Sequence, residues 1–331
     1  MIWKRSACAR REALAFSMAA FFLMSTGCGS TRVAPSRHPT ELRYEQVSHS
    51  ARSAFDGGGY SAAASLYRQA LDLAYIRDDV KAIVDTQYNL ALSLLKNEEY
   101  REAASYLEAA AAAMDRDHQG LPEDFILLDG TLNYRQGYLE TARTRIDSLL
   151  AVPDGPAPMV RSRALYLKGR IASDMGKTEV LRQVIEDLEP PAEPFSVSDT
   201  LELRGRLALA EDRFDEAVAL LDRAADLQRQ ESEYDAMAET LAAGAAACES
   251  AGRPLEAALH YLRAARSRQL RGLHGQVKEW LNRAAALADS AGAEDVGREA
   301  RHRLEVLRQQ EQPISSNGVR PSNRRSEESI M

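Results

Sequence analysis

The chain has 331 residues, 42 basic and 49 acidic side chains, a net charge of −7 and a hydrophobic share of 45%. That share excludes a wholly disordered chain, and no apolar run reaches the roughly 20 residues needed to cross a bilayer, which excludes a polytopic membrane protein. Three cysteines are too few for a disulfide framework, and an acidic balance argues against nucleic acid as a partner.

The first segment reads as an address. Lys4, Arg5, Arg10 and Arg11 make a basic start, and Ala13 to Met24 is apolar apart from Ser17. This stretch is too short to span a membrane and suits the apolar region of a signal peptide. Leu23-Met-Ser-Thr-Gly-Cys28 follows, with small residues leading into a cysteine. This ending resembles the lipobox of bacterial lipoprotein signal peptides, with Thr26 and Gly27 fitting better than Ser25. The resemblance implies removal of residues 1–27 and lipidation of Cys28. Several acyl chains give stable anchoring, because each buried methylene contributes about 0.8 kcal/mol and one chain alone is marginal. Gly29 in place of Asp implies sorting to the outer membrane, facing the periplasm. Removing the signal, which carries four basic groups and one acidic group, takes the net charge from −7 to −10. That charge suits a basic or neutral partner surface.

Residues 28–41 read as a flexible tether with two prolines, and residues 312–331, rich in Ser, Asn, Arg and Glu, as a disordered tail. Between them, residues 42–311 are helical by periodicity, and the pattern repeats. The clearest unit is Asn89-Leu-Ala-Leu-Ser-Leu-Leu-Lys-Asn-Glu-Glu-Tyr-Arg-Glu-Ala-Ala-Ser-Tyr-Leu-Glu-Ala-Ala110. Tyr60 with Ala63, Phe214 with Ala217 and Pro254 with Ala257 repeat its second half. These units resemble the tetratricopeptide repeat (TPR). The resemblance implies an all-α solenoid of helix hairpins.

The points after each inter-helix turn fall at Tyr60, Tyr100, Tyr138, Thr178, Phe214, Pro254 and Glu294, in steps of 36 to 40 residues. This predicts seven hairpins with a period near 40, longer than the usual TPR. Small residues such as Ala91, Gly205 and Ala245 let the two helices of a hairpin approach, and stacking supplies the core. Three linkers rich in Pro, Asp and Gly, Asp115–Asp124, Val152–Pro158 and Glu189–Asp199, separate hairpins.

No set of residues carries chemistry. Gly176-Lys-Thr178 lacks the first glycine of a phosphate loop, which would fall at Ile171. The six histidines, at 38, 49, 118, 260, 274 and 302, form no metal-ligand pair, and no nucleophile elbow occurs. The sequence therefore predicts no cofactor, no metal and no enzyme. TPR proteins typically bind peptides or helices along the concave groove lined by the first helix of each hairpin. Helical spacing places Arg52, Tyr88, Leu92, Lys96, Tyr166, Arg170 and Arg206 there, and substitutions at these residues are expected to leave the fold intact. The expected function is a lipid-anchored scaffold or adaptor for other envelope proteins or peptides, in assembly, secretion or pilus biogenesis. The alternative is a cell-wall hydrolase or transferase on an α-solenoid. Converging buried carboxylates in a pocket would favour it.

Overall fold

A computed structural model describes residues 38–116, 120–153, 155–188, 197–268 and 274–311. The chain divides into two units, Met1–His38 and Pro39–Met331, and the described helices lie in the second. The segment 1–27 expected to be a signal peptide, Cys28 and the expected tail 312–331 lie outside the described residues.

Fourteen helices are described, with no strand among the described residues: α1 Pro39–Asp56, α2 Tyr60–Ile76, α3 Val80–Lys96, α4 Tyr100–Arg116, α5 Glu123–Arg135, α6 Leu139–Leu150, α7 Pro158–Asp174, α8 Thr178–Asp187, α9 Val197–Ala210, α10 Phe214–Gln230, α11 Tyr234–Ser250, α12 Pro254–Arg268, α13 His274–Ser290 and α14 Glu294–Glu311. They pair in order into seven antiparallel hairpins. Six of the seven spacing marks open a second helix, and Tyr138 is the N-cap of α6. Helix α1 begins at Pro39, so residues 39–41, read as tether, form its first turn. Proline suits that place because the first helical N–H needs no partner.

One turn design recurs. The residue after the helix cap takes a positive φ, and the next N–H reaches back five residues to close the helix. Examples are Gly59 N to Ala54 O at 2.8 Å, Glu99 N to Leu94 O at 2.9 Å and Arg253 N to Cys248 O at 2.9 Å. Glycine fills the positive-φ place at Gly58, Gly137, Gly176, Gly252 and Gly292, whereas Asp78, Glu98, Asp212 and Ser232 occupy it at some cost.

The core is a ladder of helix contacts. A column of small residues runs down the first helices through Ala51, Ala91, Gly130, Gly169, Gly205, Gly244 and Ala284. The approach is close: a Cβ on Gly205 would lie 2.6 Å from Cγ of Leu221, and one on Gly130 2.6 Å from Cδ1 of Ile146. Ala63, Ala103, Ala142, Ala217 and Ala257 are fully buried on the second helices. Leu90, Leu94, Leu221, Leu241 and Leu281 fill the space between, and apolar clusters continue from α1 to α14.

A concave groove crossed by ion pairs

Five of the seven residues expected in the groove line one cavity of about 320 Å³ between α3, α5 and α7: Tyr88, Leu92, Lys96, Tyr166 and Arg170. Their spacing explains this. Residues 88, 92 and 96 are successive i, i+4 positions of α3, and 166 and 170 repeat the step on α7. Helix α5 adds Leu127, Leu128, Thr131, Tyr134 and Arg135. The Tyr88 ring stacks on Phe125 with centroids 4.8 Å apart, and burial raises its hydroxyl pKa. The other two residues lie elsewhere. Arg52 sits beside the Tyr67 hydroxyl within the first hairpin, and Arg206 packs between Glu202 and Asp174.

Arg170 does not behave as a surface anchor. It is 91% buried, from a relative exposure of 9%. Its Nη1 donates to Glu239 Oε2 of α11 at 2.5 Å, and its guanidinium lies 5.3 Å from the Tyr134 ring centroid. Glu239 also accepts from Arg135 Nη1 of α5 at 2.6 Å. Glu202 of α9, fully buried, accepts from the Tyr166 hydroxyl at 2.6 Å, Arg206 Nε at 2.8 Å and the Thr240 hydroxyl at 3.1 Å. Arg268, at the end of α12 and 5% exposed, donates from Nη2 to Glu98 Oε1 at 3.0 Å. Its Nη1 is 3.5 Å from Glu239 Oε1, and its guanidinium lies over the Trp280 ring. Glu98 belongs to the turn between α3 and α4. These pairs therefore join the second and third hairpins to the sixth across the concave side.

Burial sets the protonation of this cluster. It opposes charge on Glu239 and Glu202, but arginine neighbours outweigh it and hold both carboxyls below the usual range. Burial raises Glu98, with Arg268 opposing. Burial, reinforced by Glu98, pushes the Tyr100 hydroxyl up to about 12.

No protein-family model and no curated protein sequence matches the chain. Among solved structures, a Rap protein complexed with Competence and Sporulation Factor has a TM-score of 0.55 at 12% identity, covering 81% of this chain and 77% of that one. The chain is an α-solenoid of the TPR type. Two further structures show weaker likeness. A tetratricopeptide repeat protein from Parabacteroides merdae has a TM-score of 0.46 at 16% identity, covering 81% of this chain and 99% of that one. The TPR2AB domain of yeast Sti1, in a complex with pHSP90, has a TM-score of 0.33 at 14% identity and the same coverage. At these identities the likeness concerns the fold alone.

The solenoid's buried carboxylates do converge, as the hydrolase alternative required. Glu202 and Glu239, however, are held ionised by their arginine neighbours, so neither has a proton to give, and the same cations make each a weak base. Asp199 differs. Burial, then Glu202, Glu233 and Glu231, push its carboxyl up to about 7, but it lines neither this cavity nor the adjoining one. This arrangement does not favour the hydrolase or transferase.

Sequence reasoning missed Glu98, Arg135, Glu202, Glu239 and Arg268. Arg135 with Glu239 and Glu98 with Arg268 are 104 and 170 residues apart, and no local spacing gives a signal for such pairs; Glu202 with Arg206 is an i, i+4 pair that helical spacing could have found. It also missed His260. Its Nδ1 lies 2.9 Å from the Glu256 carbonyl and its Nε2 3.0 Å from Asp222 Oδ1, so both ring nitrogens face acceptors. Burial works against the charge, yet Asp222, Cys248 and the Glu256 carbonyl outweigh it and hold the pKa up at about 10. The imidazolium ties α12 to α10. Cys248 itself is a fully buried free thiol.

Proposed function

We propose that this protein is a lipid-anchored scaffold or adaptor of the bacterial envelope, facing the periplasm, that takes a segment of a partner protein in the cavity between α3, α5 and α7. One observation carries the binding reading. The cavity joins an apolar and aromatic floor, including Tyr88, Leu92, Leu127 and Leu167, to two cations at its edge, Lys96 and Arg163. Among the described residues both cations are exposed and make no ion pair within the chain. Aromatic, aliphatic and basic groups side by side are good interface anchors. Fold likeness to a Rap protein complexed with Competence and Sporulation Factor supports a binding role. The lipobox resemblance at Cys28 supports the anchor. No helix among the described residues is long and apolar enough to cross a membrane.

The test is affinity capture from detergent-solubilised envelopes with Lys96→Glu/Arg163→Glu beside Glu108→Lys on α4 as control. Recovery of the partner is expected to fall at least tenfold for the pair only, about 1.4 kcal/mol. Equal recovery would move the site away from this cavity. In parallel, Cys28→Ala is expected to abolish incorporation of radiolabelled palmitate. Persistent label would defeat the lipoprotein reading while leaving the binding reading standing.

A further inference from the structure

The ion pairs across the concave side join hairpins that are not neighbours. In a solenoid each repeat ordinarily touches only the next. Here Glu98 and Arg268 are 170 residues apart, and Arg135 and Glu239 are 104 apart. The turns α1–α2 and α10–α11 meet around a second cavity of about 550 Å³, lined by Asp56, Gly58, Glu231 and Glu233, which shares Lys96, Arg135, Tyr166 and Arg170 with the first. The solenoid thus completes a turn whose ends are held by charge.

Glu98 makes this more than a chance contact. It stands at the positive-φ place of its turn, φ 62°, where five equivalent turns carry glycine. A long side chain in that conformation is strained. Asp78 and Asp212, at equivalent places, have short side chains of the kind that visit this region most readily. Glu98 has no such excuse, and its carboxylate reaches Arg268. The arginine is 5% exposed and also faces Glu239 and the Trp280 ring. A strained backbone held in place by a buried side-chain contact marks a position kept for that contact.

We propose that the Glu98–Arg268–Glu239 cluster is a latch that holds the solenoid in its closed turn, and that releasing it opens the lumen containing both cavities. The chemistry suits a two-state device. Burying charges costs heavily, so the closed state rests on all partners being present. Hairpin stacking through the small-residue column does not involve Glu98, so the helices survive release. The latch stands whether or not the cavity between α3, α5 and α7 takes a partner.

The experiment compares the wild-type protein with Glu98→Gly and Glu98→Gln by small-angle X-ray scattering and by acrylamide quenching of tryptophan. Glu98→Gly removes the carboxylate while relieving the backbone, and Glu98→Gln keeps the side-chain shape without its charge. Trp280 reports the Arg268 environment, and the protein used begins at residue 28, so that the only other tryptophan, Trp3, is absent from it. The expected result is a larger radius of gyration and stronger quenching in both variants, with helical circular dichroism unchanged. A radius and quenching equal to wild type in both would overturn the latch. Loss of helical signal in Glu98→Gly would overturn it too, because the contact would then be part of the hairpin's own folding.

Discussion

Residues on the concave side are governed by charge burial more than by shape. Arg170 was expected to be a groove anchor whose removal leaves the fold untouched. Its burial between Glu239, Tyr134 and Tyr166 makes it part of the frame, since truncating it would take the donor from the buried Oε2 of Glu239 and leave Arg135 to hold Oε1 alone at hydrogen-bond distance. Asp199 supplies the clearest pH test. Its folded pKa of about 7 lies above the ordinary aspartate value of 3.8. A raised folded pKa means that the native state holds the proton more tightly. The resulting stability is full below the unfolded pKa and is lost as pH rises through about 7. Asp199→Asn, which stays neutral, is expected to stabilise the protein more at about pH 8 than at about pH 5, by on the order of 2 kcal/mol. Urea melts at the two pH values measure this, and an equal gain at both would mean that Asp199 is solvated and titrates normally.

At the scale of helices, the hairpin contact is set by side chains that are absent. The Cβ that Gly205 lacks would stand 2.6 Å from Leu221, itself 1% exposed and held by its own neighbours. Gly205→Ala is expected to destabilise by about 1–3 kcal/mol, despite the better helix propensity of alanine. Gly275, on α13 with nothing within 4 Å of its missing Cβ, is the counterpart. Gly275→Ala is expected to stabilise by up to about 1 kcal/mol. Thermal melts of the two variants should move in opposite directions. The same logic explains what was legible beforehand. Tyr60, Tyr100, Phe214 and Pro254 recur because each hairpin solves one packing problem with nearly one set of residues. The cavity was legible as far as helical spacing reaches, through Tyr88, Leu92 and Lys96 on α3. Arg52 and Arg206 answered the same spacing rule but found partners nearer home, Tyr67 and Glu202.

For the whole molecule, superhelical closure lies beyond such reading. A small rotation per hairpin, accumulated from the second to the sixth, decides whether Glu98 meets Arg268, and no short window of sequence carries that sum. The acidic balance of the chain also says little about the groove. The charge of −10 expected after signal removal pointed to a basic or neutral partner, yet the cations free to meet a partner at the cavity edge are Lys96 and Arg163. Local charge, rather than the total, sets which surfaces are selected at short range.

The turn at Glu98 bears as well on how the molecule comes apart. A linear array of repeats loses cooperativity with length, since a boundary between folded and unfolded hairpins costs only one interface. A contact between the second and sixth hairpins changes that count, because melting either end also breaks the bond to the other. Unfolding is then expected as one sharp transition in guanidinium, with tryptophan fluorescence and circular dichroism coincident. In Glu98→Gly the two signals should separate, with Trp280 reporting its own end of the array and the helical signal reporting the average. Coincident curves in that variant would assign the cooperativity to neighbour stacking alone. A single carboxylate in a strained turn would thereby convert a string of semi-independent hairpins into one folding unit.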